Sequence, residues 1–443
     1  MTKILVKLLA LSLFTAAQTA MAANYYVRAG ATGANNGADW TNAYTTLPST
    51  LTRGNTYYIA DGSYSGYTFD DDVSGTSTIT IKKCTASDHG TETGYSAAYC
   101  DGQAIFGELR FTRPYYVIDG AVRNESNWKD HSAYGIRTTG VRASRLDGGH
   151  VGSDCSADNI TFKYAHVGTT TTAYSSRMDG EGFYISGFGG GTVACENWTL
   201  HRTLVQNVVV GIQCAGCKGL NVEYSYFYIG WGKEAIRGQV SASNMTVRYS
   251  VFEDSCQRDP GDATSGCTAE IANWDGSDFD NNEIYGNVFY KTTSEVNSGG
   301  AIVIGGNGSS WVGPATNNSK VYNNTIAGLK NWNANILING GSGNECRNNL
   351  WYGNTGSTTG CTANSSSHNV VASSNPFVNY SGGDFRLAGA TTTAGYSLPS
   401  TYMVDRFGAT RGADGNWDLG AYEYVAGGTS PVVLSSPTNL RIQ

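Results

Sequence analysis

Seven copies of a nine-residue segment follow one another along the middle of this chain. They begin at residues 159, 197, 219, 244, 281, 318 and 343, so successive copies are 38, 22, 25, 37, 37 and 25 residues apart. The short steps fit one turn of a β-solenoid, and the long steps fit a turn with an additional loop. The repeat therefore predicts a chain that winds through stacked turns.

Three positions of the repeated segment have a constant character. The fourth position is apolar or cysteine and the ninth is apolar in every copy, so we expect both to point inward. A short apolar strand follows each copy, which predicts three strands in each turn and an all-β fold. The seventh position is small or an amide, and its side chains are expected to hydrogen-bond to one another where the chain turns. Those residues are Ala165, Thr203, Ser225, Ser250, Asn287, Asn324 and Asn349.

The composition of the chain argues against one class of function, the binding of nucleic acids. Charged residues make up 15% of the chain and the formal net charge is −7, so the sequence lacks the basic character of a nucleic-acid-binding protein. We predict no nucleic-acid partner. An acidic polymer could be held only by a local basic groove, against the overall field of the protein.

The first 22 residues predict a secretory signal peptide. Lys3 and Lys7 precede an apolar run, and Ala20-Met21-Ala22 is an A-x-A cleavage site, which places the mature N-terminus at Ala23. No later run is apolar for long enough to span a bilayer. We therefore expect a secreted or cell-surface protein without membrane insertion, and a monomer.

Ten cysteines in an exported chain favour disulfides over metal ligands. Sequence spacing favours three local pairs, and Cys214 with Cys217 forms a C-x-x-C element. Cys155 and Cys195 remain, each just ahead of a repeat copy and so on neighbouring turns. The three local pairs are Cys84 with Cys100, Cys256 with Cys267, and Cys346 with Cys361.

Both ends of the mature chain resemble known β-helix proteins. Residues 24–47, followed by a first strand within 55–66, resemble the entry segment of secreted right-handed parallel β-helix proteins. SNPFVNYSGGDFRLAG (374–389) and GNWDLGAYEY (415–424) are similar to the C-terminal region called choice-of-anchor Q. The resemblance implies a single right-handed parallel β-helix of the pectate-lyase-like superfamily, which is rich in polysaccharide lyases, hydrolases and epimerases.

The chain is accordingly divided into five parts. Residues 1–22 are the signal peptide, and 23–158 form the N-terminal cap and first irregular turns. Residues 159–354 form the regular turns, 355–424 the C-terminal turns and cap, and 425–443 a linker-like tail.

Outward positions of the third strand are the expected functional surface, because such positions stack from turn to turn into a continuous strip. In the pectate-lyase-like enzymes the cleft lies on the strand in that position, and loops of variable length form its walls. We expect Arg237, Glu270 and Gln213 on this strip. The other candidates are Tyr184, Lys233 and Glu234 for catalysis, and Asp179, Glu181, Trp231 and Trp274 for substrate binding.

Two reactions fit these residues. β-Elimination at a uronic acid needs a base, Lys233 or Tyr184, and a cation, Arg237, for the developing enolate. Glycoside hydrolysis needs two carboxylates, for which Glu234 and Glu270 are the candidates. We predict a carbohydrate-active protein on an extracellular polysaccharide, with a lyase preferred; a hydrolase and a non-catalytic glycan-binding or matrix protein are the alternatives.

Two further sets of polar residues have simpler interpretations. The acidic groups at 70–72 and 275–280 have oxygen ligands at alternate positions, so calcium is a possible cofactor. The outward residues of the first strand of each copy have mixed charges and predict a solvated face. They are Lys163, His201, Glu223, Arg248, Tyr285, Tyr322 and Arg347.

Overall fold

The computed structural model describes residues 22–143, 155–186, 194–261, 266–292, 300–306, 315–329, 335–355 and 360–426. These residues form a right-handed parallel β-helix with three strands per turn, as predicted. The described residues contain no helix long and apolar enough to cross a membrane. The signal-peptide prediction falls on residues that lie, except for Ala22, outside the described ones.

Three parallel sheets run along the helix axis, and each turn contributes one strand to each sheet. Sheet 1 consists of Asn24–Val27, Thr56–Ile59, Ile79–Lys83, Tyr116–Asp119, Ile160–Lys163, Thr199–His201, Asn221–Glu223, Thr246–Arg248, Glu283–Tyr285, Lys320–Tyr322, Glu345–Arg347 and Ser365–Ser367. Parallel pairing thus begins at Asn24, well before the first repeat copy.

Sheet 2 follows sheet 1 around a tight corner. It consists of Gly62–Tyr64, Ala104–Phe106, Ile136–Thr138, Ala165–Gly168, the first half of Leu204–Lys218, Tyr226–Gly230, Val251–Glu253, Val288–Tyr290, Thr325–Ala327, Leu350–Tyr352 and Val370–Val371.

Sheet 3 completes each turn. It consists of Tyr67–Phe69, Leu109–Phe111, Val141–Ala143, Met178–Ser186, the second half of Leu204–Lys218, Ile236–Ser243, Ala269–Asp278, Gly300–Gly306, Ile336–Ile338 and Cys361–Thr362. The short strand Cys195–Glu196 pairs with the end of Leu204–Lys218. The described helical turns are all 3₁₀: Ala97–Tyr99, His131–Ala133, Tyr174–Ser176, Tyr380–Gly382 and Ser400–Tyr402.

Apolar side chains stack along the inside of the turns. Phe227, Phe252 and Phe289 occupy the ninth position of successive copies and are no more than 1% exposed. Successive rings in this stack are nearly parallel, with centroids 4.7 Å apart. This confirms the inward column predicted from the repeat, and the stacked rings bury apolar area at every turn.

An asparagine ladder lies at the corner between sheets 1 and 2. The side-chain oxygen of Asn287 accepts the backbone N–H of Ser250 at 2.9 Å, and that of Asn324 accepts the backbone N–H of Asn287 at 3.0 Å. The same bond recurs from Asn324 to Asn349 at 2.9 Å. Each amide thereby satisfies a buried donor of the preceding turn, as the seventh-position pattern predicts.

The C-terminal segment runs back along the outside of the helix instead of adding turns. The last parallel strand of sheet 2 is Val370–Val371, after which Phe377–Asn379 pairs antiparallel with Asp384–Leu387. Phe377, Phe385 and Leu387 pack on outward residues of sheet 2, among them Tyr226, Val288 and Leu350. Sheet 2 has apolar residues on both faces, which explains why this segment covers it.

All ten cysteines pair as expected from their spacing, in five disulfides. Cys346 points into the core from sheet 1, where an inward cysteine would need a partner inside the turn. Its partner Cys361 belongs to sheet 3 at the same end of the helix. The disulfide therefore joins two sheets across the interior of the last turns.

Candidate functional site

The outer face of sheet 3 presents one side chain per turn in a continuous row, which we call the sheet 3 row. Each member is the Cα partner of the next, across one parallel strand spacing of roughly 4.8 Å. Because side chains alternate along a strand, the flanking residues Ile212 and Ile236 point into the core and are fully buried. From the N-terminal end, the row consists of Thr68, Arg110, Arg142, Tyr184, Gln213, Arg237, Ala272, Val303 and Leu337.

Arg237 is held by a buried carboxylate. Glu234 is 1% exposed, and its Oε2 atom lies 3.7 Å from Nε of Arg237. Its other carboxylate oxygen accepts the backbone N–H of Thr268 at 3.0 Å. The side chain of Arg237 remains 17% exposed. The buried charge of Glu234 thus orients a cation whose outer edge is still accessible from the row.

Tyr184 and Gln213 occupy the two preceding places in the row. Tyr184 is half-buried, and the guanidinium carbon of Arg142 lies 5.5 Å from its ring centroid. Gln213 is 5% exposed and donates from Nε2 to Oε1 of Gln239 at 2.7 Å. Two strand spacings, roughly 10 Å, separate Tyr184 from Arg237 along the sheet. A phenol, an amide and a guanidinium therefore lie in sequence on one face.

Glu270 does not lie on this face, so the expectation that it lies beside Arg237 is wrong. Its side chain is fully buried, with Oε1 2.7 Å from Nζ of Lys291 and Oε2 accepting the hydroxyl of Ser255 at 2.5 Å. The adjoining positions in register, Ala235 and Ala301, belong to the core. The position lies at the corner between sheets 2 and 3, where the chain direction changes and alternation no longer predicts an outward side chain.

The remaining polar candidates flank the row without belonging to it. Lys233 is half-buried in the turn before Ile236–Ser243. Asp179 is 84% exposed, and its carboxylate lies 3.3 Å from Arg177. Glu181 is half-buried and is paired in register with Val210. Lys233 lies near enough in sequence to the Arg237 strand to remain a candidate base.

Trp231 is not available for stacking on a sugar, contrary to expectation. It is 8% exposed, its indole N–H donates to Oδ1 of Asn207 at 2.8 Å, and the ring of Tyr174 packs edge-on against it at 5.2 Å. Tyr174 also donates its hydroxyl to Asp259. These contacts join the loop before Met178–Ser186 to the loop after Val251–Glu253. The backbone of Trp274 lies in a sheet 3 strand, but its side chain lies outside the described part of the structure.

Sequence reasoning missed Arg110 and Arg142, which extend the row toward the N-terminal end. Both are central residues of three-residue strands, Leu109–Phe111 and Val141–Ala143, in which the arginine stands between two apolar residues. Arg237 likewise follows an apolar residue, Ile236, although Gly238 comes after it. An arginine next to an apolar strand residue could have identified both positions from the sequence. They were missed because they precede the repeat copies from which the functional surface was predicted.

The outer face of sheet 1 is solvated only in part, so that expectation is wrong for Glu223, Tyr285 and Tyr322, which are buried. The side chains of Lys163 and Arg248 are 35% and 34% exposed, as expected. Glu223 is 6% exposed, and accepts from Arg248 Nε at 2.8 Å and from the His201 ring at 2.9 Å. Burial raises the pKa of Glu223, but the hydrogen bond from His201 and the charge of Arg248 outweigh it and bring the pKa to about 2. Arg202 donates to the other ring nitrogen of His201 at 3.0 Å, so this histidine has no free lone pair with which to act as a base.

Tyrosines of sheet 1 lie under the C-terminal segment. Tyr285 and Tyr322 are each 3% exposed, and the ring of Tyr402 packs edge-on against both, at 4.9 Å and 5.0 Å. Trp417 belongs to the same apolar cluster. The C-terminal segment thus covers parts of the outer faces of sheets 1 and 2. In the sheet 3 row, Arg142, Tyr184 and Arg237 stay partly exposed.

The described residues contain no group of three or more His, Cys, Asp or Glu side chains placed to hold a metal ion. In the first acidic group, Asp71 accepts the backbone N–H of Leu51 and the hydroxyl of Tyr116, so its oxygens are engaged within the protein. The side chain of Asp275 in the second group lies outside the described part. Calcium stays an untested prediction.

These features define, as a class, a right-handed parallel β-helix protein with a partly basic row on one sheet. No family model and no curated protein matches the sequence. Among solved structures, the pectate lyase Pel9A is similar at a TM-score of 0.44 and 14% identity, over 91% of this chain and 97% of that one. The PL6 family alginate lyase AlyGC is similar at a TM-score of 0.33 and 11% identity, over 72% of this chain and 49% of that one.

A mutant of the same alginate lyase gives a TM-score of 0.33 and 12% identity, over 85% of this chain and 57% of that one. The chain therefore spans about half the length of the alginate lyase. At these identities and TM-scores the likeness carries no information about activity. Function has to be argued from the site.

Proposed function

We propose that this protein is a secreted polysaccharide lyase that cleaves an acidic polysaccharide along the sheet 3 row. The observation that carries the proposal is the placement of Arg237, a cation oriented by buried Glu234 and two turns from the phenol of Tyr184 on one accessible face. Five disulfides support a site of action outside the cytoplasm. A net charge of −7 repels an acidic polymer elsewhere, so the row is where such a polymer would bind.

The proposed reaction is β-elimination at a uronic acid. A base removes the proton on the carbon α to the carboxylate, the bond from the β carbon to the glycosidic oxygen breaks, and a double bond forms between the two carbons. The leaving oxygen takes up one proton, so atoms and charge balance. Arg237 binds the substrate carboxylate and neutralises the charge that develops on it. Tyr184 or Lys233 takes the proton, and Gln213 donates or accepts a hydrogen bond between them.

Burial of the carboxylates favours a lyase over a glycoside hydrolase. Hydrolysis requires two carboxyl groups about 5 to 9.5 Å apart on either side of an accessible sugar. Glu270 is fully buried and paired with Lys291, and Glu234 is buried beneath Arg237. Neither carboxylate faces a position that a sugar ring could occupy.

The test is incubation of the mature protein with alginate, pectate, glycosaminoglycans and neutral glycans. We expect the ultraviolet absorbance of unsaturated uronates to rise with one acidic polymer, together with reducing ends. Reducing ends without that absorbance would instead identify a hydrolase. Binding without either product would identify a glycan-binding protein, and would contradict the proposal.

A further inference from the structure

The charge of the sheet 3 row is distributed unevenly along the helix axis. All of its charged members lie on the N-terminal side: Arg110, Arg142 and Arg237. The three members after Arg237 are Ala272, Val303 and Leu337, which carry no charge. An acidic chain lying on the row therefore meets cations in one direction from Arg237, whereas in the other direction the next two members of the row, Ala272 and Val303, are fully buried.

We propose that Arg110 and Arg142 form an extended binding site for the acidic sugars of the polymer on the N-terminal side of the reaction centre. This inference rests on the proposed function and deepens it, since it makes the substrate an acidic chain of several residues. Four strand spacings separate Arg110 from Arg237, roughly 19 Å along the row. One sugar residue is comparable in length to one strand spacing, so the row accommodates about four or five residues on its cationic side.

The exposure of Arg142 suits a role in binding. Its side chain is 50% exposed, and its nearest carboxylate, on the equally exposed Glu108, lies 3.7 Å from Nε. An exposed pair at this distance stabilises the fold little, so exchanging Glu108 for a substrate carboxylate costs little. The contact between Arg142 and the Tyr184 ring places this cation next to the candidate base.

Arg110 is the more discriminating residue for a test. It lies two turns from Tyr184 and four from Arg237, so a change there does not disturb either candidate directly. Carboxylates close to this end of the row include Glu108 and, beyond Tyr184, Asp179, which lies against Arg177. Both carboxylates are more than half exposed and offer no site of their own for an acidic polymer.

The experiment compares uronic acid oligomers of increasing length, from two to eight residues, on the wild-type protein and on Arg110→Gln/Arg142→Gln. The wild type should show a kcat/KM that rises with length until the row is filled. In the double variant this gain should fall by about tenfold. Loss of Arg110 should raise KM, because its contact with the chain lies two turns from Tyr184, and loss of Arg142, which lies against the Tyr184 ring, should lower kcat as well. Arg110→Lys/Arg142→Lys, which keeps the charge, should retain most of the gain.

The matched control is Lys163→Gln/Arg386→Gln, which removes the same charge from sheet 1 and the C-terminal segment and should behave as the wild type. Binding of the longest oligomer, measured by calorimetry at low and high salt, gives a readout independent of turnover. It should lose affinity and salt dependence in the Gln double variant only. Circular dichroism establishes that each variant is folded.

Two results would overturn the inference in distinguishable ways. A wild type that cleaves uronic acid polymers with no length dependence, or a Gln double variant equal to the control, refutes the extended site and leaves the proposed function intact. A wild type that neither cleaves nor binds any acidic oligomer refutes the proposed function and the extended site together.

Discussion

Lys291 and Glu270 show how a charged pair can be part of a core. Nζ of Lys291 lies 2.7 Å from the Glu270 carboxylate, and the two side chains are 1% and 0% exposed. Ser255 satisfies the other carboxylate oxygen. A pair buried this completely is stable only while both charges are present, because either charge alone would lose its solvation without compensation.

Lys291→Met should therefore destabilise the protein strongly. It leaves the Glu270 carboxylate buried with a single hydroxyl partner, at a cost of about 3 to 5 kcal/mol in the free energy of unfolding. Lys291→Met/Glu270→Leu, which removes both charges, should recover most of that loss. Urea denaturation measures both; a single variant within 1 kcal/mol of the wild type, or a double variant no better than the single, would contradict the assignment.

His166 gives a second prediction, in the pH dependence of stability. Its side chain is fully buried on sheet 2, and burial, with Arg137 and His131 nearby, lowers its pKa to about 3. In the unfolded chain the pKa is about 6.5. Between these two values the unfolded state binds a proton that the folded state does not, so stability falls as the pH falls from 6.5 toward 3.

A His166→Asn variant should lack this contribution. The difference in unfolding free energy between the wild type and the variant should change by about 1.4 kcal/mol per pH unit between pH 6 and pH 4, in the direction that favours the variant at low pH. Subtracting the unfolding free energy of the variant from that of the wild type cancels the contributions of other groups that titrate in this range. Urea midpoints at several pH values measure it, and a difference that stays constant would show that His166 is accessible to protons when folded.

Among the structural elements, the asparagine ladder keeps successive turns in register. Asn324 accepts from the backbone and the side chain of Asn287, and donates from Nδ2 to the carbonyl oxygen of Ile284 and to Asn349. All of these groups are buried where the chain leaves sheet 1. A ladder of this kind specifies how the turns stack, because each hydrogen bond requires a particular direction and distance between its two groups. Apolar contacts have no such directional requirement.

Asn324→Ala should cost about 3 kcal/mol or more, because it leaves several buried polar groups without a partner. The matched control is Asn364→Ala, at the exposed end of a second stack of polar side chains. Asn364 accepts one backbone N–H there, from Asn344, and water can replace it. We expect the control to cost under about 1 kcal/mol by urea denaturation. Equal losses in the two variants would show that the ladder adds no more than a surface hydrogen bond.

The inward columns and the corner amides could be predicted from the sequence because they recur with every turn. The disulfides could be predicted because most of the cysteines lie close in sequence to their partners. Glu270 could not be placed, since its direction depends on where the corner between sheets 2 and 3 begins, and the repeat does not mark that point. The burial of Tyr285 and Tyr322 could not be predicted either, because the ring that covers them belongs to Tyr402, about a hundred residues away in sequence. Long-range packing of this kind leaves no periodic signal.

In the molecule as a whole, the C-terminal segment covers parts of two of the three outer faces. Phe377 and Phe385 cover sheet 2, and Tyr402 and Trp417 cover sheet 1. Arg406 extends this cover to the ring of Trp128, 4.6 Å from its guanidinium carbon, which joins the segment to an N-terminal loop. Arg142, Tyr184 and Arg237 on the outer face of sheet 3 stay partly exposed, and this is the face on which we propose that the polymer binds.

The most direct test of this account is the mass and absorbance of the products that the wild type and Arg237→Ala/Glu234→Gln release from one acidic polysaccharide. Glu234→Gln is included because removing Arg237 alone would leave the Glu234 carboxylate buried without its cation, which would destabilise the fold. A loss of activity in the double variant therefore reports on the site and not on unfolding. Arg386→Ala serves as the control for removal of a surface arginine.

We expect wild-type products that absorb in the ultraviolet and are one water lighter than hydrolysis products. We also expect a fall of a hundredfold or more in the double variant, which corresponds to about 3 kcal/mol of transition-state stabilisation. Saturated products from the wild type, or unsaturated products released by the folded double variant at the wild-type rate, would contradict the proposed function.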